Sequence, residues 1–213
     1  MKHGNVFGSE TKSYDAKSMP LWIEVKEKKL GGGTISLADY TKGDLIPAAV
    51  PVYLPKMGGD AVIIDAFEVD GAVASDATAI KLKDGIFGTK PKKDMIVGKV
   101  ASTGIAAKAA ALGTFTEGTG FAITANSLGT LSDGDFVYII SVAGSSKPAV
   151  KPNGLTLREI YVDATVDVAH DIVPTATVAV VTKGQILADR MPAALADWQE
   201  DALKGNITFE HEL

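Results

Sequence analysis

The chain has 213 residues, 46% apolar and 22% charged, with a net charge of -5 and no cysteine. That length and composition suit a globular protein that buries about 70% of its unfolded surface, and they exclude a disulfide framework and any thiolate metal site. The only arginines are Arg158 and Arg190, and no basic stripe with interleaved aromatics appears, which argues against nucleic acid as a partner.

The first ten residues, MKHGNVFGSE, hold no apolar leader core, and no later run approaches the roughly 20 apolar residues that span a bilayer. A soluble chain without a secretory signal or a membrane partner is expected. Residues 1–33 read as an N-terminal arm, with glycines and serines scattered among charges up to Gly31-Gly32-Gly33. The arm nevertheless carries Phe7, Tyr14 and Trp22, the candidate contact residues. It either packs on its own domain or docks on a neighbouring subunit or larger surface. Leu21, Ile23 and Val25 alternate against Trp22, Glu24 and Lys26 as in a short strand.

Two β units are expected to follow, residues 34–120 and 121–213. In KGDLIPAAVPVYLPKMGGDAVIIDAFEV (42–69), one strand is read with Ile46, Ala48, Val50, Val52 and Leu54 on one face and Pro47, Pro51 and Pro55 on the other. Prolines of one parity remove donors from one lateral edge, so an edge strand is expected. After a turn at Met57-Gly58-Gly59, residues 61–69 read as a strand covered on both faces. Thr78 to Leu82 reads as a strand before a turn at Lys83-Asp84-Gly85, and Lys90, Pro91, Lys92 and Lys93 as a solvated turn. Residues 95–103 suggest another strand, and GIAAKAAALG (104–113) a single helical turn or a loop.

GTFTEGTG (113–120) has the glycine spacing of a phosphate loop but Thr119-Gly120 where lysine is required, so a β-turn is expected. Asp133-Gly134 sets a turn before a strand in which Phe136, Tyr138, Ile140 and Val142 share a face. IYVDATVDVAHDIV (160–173) has β periodicity. Residues 45–56 and 172–183 align without gaps, matching Pro47 with Pro174, Ala49 with Ala176 and Lys56 with Lys183; this marks either two related units or two edge strands meeting the same need. A helix is expected in RMPAALADWQEDALKG, with Pro192 in its first turn, a stripe of Leu195, Trp198, Ala202 and Leu203, and Gly205 at its end. A last strand in NITFEHEL follows.

The search for chemistry selects no catalytic residue. A serine or threonine nucleophile needs a histidine base, and only His3, His170 and His211 are present. Asp163, Asp167 and Asp171 on one strand would span about 27 Å, too far for one ion, with His170 on the opposite face. They read better as charges that discourage sheet-to-sheet pairing. No cofactor or metal is expected. A carboxylate-pair hydrolase finds no selected pair among 26 acids, and Asn206-Ile207-Thr208 reads as a chance glycosylation match.

The stretch KGDLIPAAVPVYLPKMGGDAVIIDAF, together with ATAIKLKDGIFGTKPKKDMIVGKV and VAVVTKGQILADRMPAAL, resembles capsid decoration and head-fibre proteins of tailed bacteriophages. The likeness is greatest to small β-rich head proteins from phages and prophages of gut Bacteroidetes, and it covers about half the chain. Those proteins usually carry glycine at the position of Ala49, giving AGTP where this chain has AAVP. The resemblance implies a non-enzymatic virion protein on the outer capsid surface, assembled in the bacterial cytoplasm, often trimeric, with a major capsid or other head protein as partner. The expected fold is mainly β: one or two small barrel or sandwich units, an extended N-terminal arm and a short C-terminal helix. A glycan-binding or adhesive β module, using Trp22 or Tyr161, is the alternative.

Overall fold

The computed structural model describes residues 21–37, 40–55, 60–144, 146–163 and 175–211. The chain is mainly β, with antiparallel sheets and one short helix near the C-terminus. The first sheet runs Trp22–Ser36, Thr175–Leu187, Gly154–Thr156, Pro51–Tyr53, Val62–Ile63, and Ile207–Glu210 adds to Thr175–Leu187 in parallel. The second runs Lys147–Pro148, Ile105–Ala111, Ile96–Val100, Phe136–Ile139, Ala66–Val69, Leu82–Gly85. Each draws strands from both sides of residue 120, so no sheet boundary falls there.

The first sheet curls until Asp60, beside its last strand, bridges back to Thr34 in its first. This single bridge does not close a barrel among the described residues. Gly33 permits the approach: a Cβ there would lie 2.7 Å from that of Ala61 and 2.8 Å from Leu54 Cδ1. The triple glycine therefore lies within the strand Trp22–Ser36 rather than ending an arm. Irregularities between Trp22 and Glu24 and between Val25 and Glu27 break its alternation. Trp22 and Val25 pack on the core while Ile23 is exposed, against the expected parity.

The stretch from Leu45 to Val69 departs most from expectation. Its first half is two short strands, Leu45–Ile46 and Pro51–Tyr53, separated by a turn. Pro51 lies inside the sheet, opposite Leu155, while Val62–Ile63 pairs on the strand's other side, so this is not an edge. A proline is tolerated here because its carbonyl still bonds, accepting from Ile64 N at 2.9 Å. One edge strand among the described residues is Trp22–Ser36, whose Glu24, Lys26, Glu27 and Lys28 are exposed. Charges and bulges, not prolines, guard it. The second half also divides: Val62–Ile63 belongs to the first sheet, Ala66–Val69 to the second, and Ile64-Asp65 carries the chain between them.

The second sheet is covered on both faces. Phe67, Val69, Val97 and Val137 pack with Ile80 and Phe121 of a three-stranded sheet, Phe115–Thr116, Gly120–Ala122 and Ala79–Ile80. On the other side Ile64, Ala106, Ala109 and Ile140 pack with Trp198. The alanine-rich stretch is thus the strand Ile105–Ala111, not a helical turn or loop. Small side chains let the Trp198 indole lie close to the sheet, and this packing overrides alanine's modest helix preference. Residues 113–120 form a hairpin, as the β-turn reading required. Lys83, Asp84 and Gly85 extend the strand Leu82–Gly85, and the turn comes after them.

The helix spans Asp197–Leu203, leaving Pro192 outside its first turn. Gln199 Oε1 accepts from Ala196 N–H at 3.0 Å at its start, and Gly205, at φ 91°, follows its last turn. Leu195 and Leu203 reach the first core, and Trp198 the face of the second sheet.

Candidate functional site

The segment 45–53 combines a strained turn with an exposed apolar pair. Ala49 is fully buried and has φ 62°, a left-handed backbone that glycine adopts without penalty and alanine does not. Thr156, also fully buried, holds the turn. Its hydroxyl accepts from Val50 N–H at 3.0 Å and donates to Pro47 O at 3.2 Å. Its backbone accepts from Ala49 N–H at 2.8 Å and donates to Val50 O at 3.0 Å. Beside the turn, Leu45–Ile46 pairs with Ile160–Tyr161, placing Leu45 directly opposite Tyr161. These side chains are 51% and 61% exposed, so a rigid frame presents an apolar cross-strand pair to solvent.

A second constellation lies where the chain passes between sheets. Asp65 is fully buried. Its Oδ1 accepts from Ala66 N–H at 2.7 Å, Phe87 N–H is shared between both oxygens at 3.1 Å, and Oδ2 accepts from Thr89 N–H at 3.2 Å. Thr89 Oγ1 lies 2.9 Å from Tyr40 Oη. Gly85 is obligatory here, because a Cβ would overlap the carboxylate. Burial raises the Asp65 pKa, and the hydrogen bonds only partly offset it. Tyr40 and Thr89 also line a cleft of about 240 Å³ with Ile35, Ile63, Met95 and Ile139.

Of the candidate contact residues, Phe7 and Tyr14 lie outside the described residues. Trp22 is half-buried against the first core, and its Nε1 is buried without a hydrogen-bond partner among the described residues. Tyr161 is exposed, as a glycan-binding reading requires. Asp163 is exposed, whereas Asp167, His170 and Asp171 fall outside the described residues, as does Pro174 of the internal alignment. Among the described residues, no group of three or more acidic or histidine side chains is placed to share an ion, and no helix is long and apolar enough to cross a membrane. His211 is exposed and pairs with Asp189 at 2.9 Å, which raises its pKa. Sequence reasoning missed Asp65, Thr89, Tyr40 and Thr156. The available signal was a carboxylate inside the apolar run Val62-Ile63-Ile64-Asp65-Ala66-Phe67.

The chain matches no protein-family model, no curated protein and no solved structure.

Proposed function

We propose that the chain is a non-enzymatic structural protein of a tailed-phage head, decorating the outer capsid surface or forming the base of a head fibre, as a homotrimer. The observation that carries this reading is the backbone of Ala49. The resembled head proteins usually have glycine at that position, and here it takes the left-handed conformation that glycine favours. The AAVP stretch makes a tight turn through a residue whose backbone suits glycine. Leu45 and Tyr161 supply an apolar docking pair on the same frame, and repetition over many shell sites would add avidity.

Immunogold labelling of phage particles from the source strain, with antibody to this chain, is expected to decorate intact heads, and light scattering to give a trimer. Label absent from heads, or a monomer, overturns the reading. Particles assembled with a chain lacking residues 1–20 are expected to lose the protein; unchanged copy number removes the arm around Phe7 and Tyr14 from the docking surface. The exposure of Tyr161 favours the adhesive alternative in one respect, since a free aromatic face can stack on a sugar ring. Specific glycan-array binding that is lost in Tyr161→Ala would establish it.

A further inference from the structure

Asn153 is the only asparagine in the chain that a glycine follows. In such a pair the glycine nitrogen, with no side chain beside it, can attack the asparagine carboxamide, and asparagine is accordingly a heat-labile residue. A bond forms between Gly154 N and Asn153 Cγ, the Cγ–Nδ2 bond breaks, and ammonia leaves. Water then opens the cyclic imide, giving aspartate or an isoaspartate whose backbone runs through the former side chain.

Both members of the pair have structural reasons to be there. Gly154 opens a strand in the middle of the first sheet, between Pro51–Tyr53 and Thr175–Leu187. A Cβ on it would lie 2.4 Å from Val180 Cγ1 and 2.8 Å from Val181 O, so a larger residue does not fit. Asn153 Oδ1 accepts from Leu54 N–H at 2.8 Å, and its Nδ2 donates to Leu54 O at 2.7 Å. One carboxamide thus pairs with both backbone groups of the residue after Pro51–Tyr53, as a neighbouring strand would, and needs a donor and an acceptor on one carbon to do so. Asn153 N–H adds a bond to Val52 O at 3.0 Å.

Asn153 is exposed, so the restraint on its chemistry is the clamp rather than exclusion of water. Attack requires Asn153 Cγ to leave Leu54 and swing onto the nitrogen of a residue that the sheet holds in place. The unfolded chain has neither restraint. Each product also fails the site. Aspartate still accepts from Leu54 N–H but sets an oxygen against Leu54 O where a donor stood. Isoaspartate in addition lengthens the backbone just before Gly154, against the close contacts with Val180 and Val181.

We propose that Asn153-Gly154 is a modification site gated by the fold: closed to deamidation in the native sheet, open in the unfolded chain, where conversion stops the first sheet from re-forming. The dipeptide therefore withdraws chains that linger unfolded from the pool able to fold, whatever partner the protein binds.

The test incubates the full chain in mildly alkaline buffer, native or in guanidinium chloride, and follows the peptide that contains Asn153 by mass spectrometry with isoaspartate detection. Modification that proceeds only through opening tracks the population of the opened form, so the native rate is expected to fall on the order of 100-fold or more below the denatured one. A native rate within a few-fold of the denatured rate overturns the gate. After dilution from denaturant, the folded fraction is expected to hold intact Asn153 and the misfolded remainder the converted residue; equal conversion in both fractions overturns the block on refolding. Asn153→Asp installs the first product without ageing and is expected to lower the urea midpoint. An unchanged midpoint shows that the Leu54 clamp does not distinguish carboxamide from carboxylate, and that too overturns the proposal.

Discussion

Two tight turns in this molecule are each held by one fully buried polar side chain from elsewhere in the chain, and they differ in whether that side chain can ionise. The turn at Ala48-Ala49 is held by the Thr156 hydroxyl and backbone. Residues 85–89 are held by the Asp65 carboxylate. Both braces satisfy backbone groups that the turn would leave unpaired in the core. The neutral brace serves one protonation state at all ordinary pH. The acidic brace satisfies more donors but carries the cost of a buried charge, so its strength depends on acid.

The comparison breaks most sharply at Asp65. Asp65→Ala leaves the buried N–H groups of Ala66, Phe87 and Thr89 without their acceptor, and a loss of about 3–5 kcal/mol is expected in urea unfolding. Gly85→Ala attacks the same turn from outside by driving a methyl into the carboxylate; overpacking of this kind costs about 1–3 kcal/mol, and the upper end is expected because both parties are buried. Thr156→Val removes a hydroxyl at nearly constant shape and strands Val50 N–H. About 1–2 kcal/mol is expected, less than at Asp65 because Thr156 keeps its backbone bonds to Ala49 and Val50.

A smaller effect separates the braces by pH. The folded pKa of Asp65 lies above its unfolded value, so between the two the native state binds more protons than the unfolded chain. Its contribution to stability therefore falls as pH rises from 3.8 through the raised folded value. Asp65→Asn, in which that titration is absent, is expected to flatten this part of the profile, whereas Thr156→Val is expected to shift the whole profile without changing its slope. Parallel profiles for wild type and Asp65→Asn would show that Asp65 does not titrate abnormally. Asp135 has the opposite sign: Lys99 lowers its pKa, and the associated stability is lost as pH falls through the folded value.

Local pattern revealed the mainly β class, the hairpin at 113–120, the turn at Asp133-Gly134 and the C-terminal helix and strand, because each depends on neighbours within a few residues. It failed where distant segments decide. The prolines at 47, 51 and 55 suggested an edge, but Pro51 sits between two strands because its carbonyl, not its missing N–H, faces the bonding need. Within residues 104–113, Ile105–Ala111 became a strand because Trp198, some ninety positions later, packs on its small alanines. The parity of Leu21 to Lys26 was lost to bulges that no local rule announces. Which turns the two braces hold was invisible for the same reason, since Thr156 and Asp65 act on turns far from them or on another strand.

The smallest expected effect tests the turn itself. Ala49→Gly restores the residue usual in the resembled head proteins. It relieves a left-handed alanine, worth about 1–2 kcal/mol. Against this stand the loss of one fully buried methyl, about 0.8 kcal/mol, and a more flexible unfolded chain, about 0.4–1 kcal/mol. The terms nearly cancel, so a change within about 1 kcal/mol is expected in urea unfolding. Combined with Thr156→Val the balance shifts, because an unbraced turn relies on its own backbone preference. Glycine at 49 is then expected to recover part of the Thr156→Val loss. Strict additivity of the two substitutions would show that the brace and the left-handed residue do not support each other.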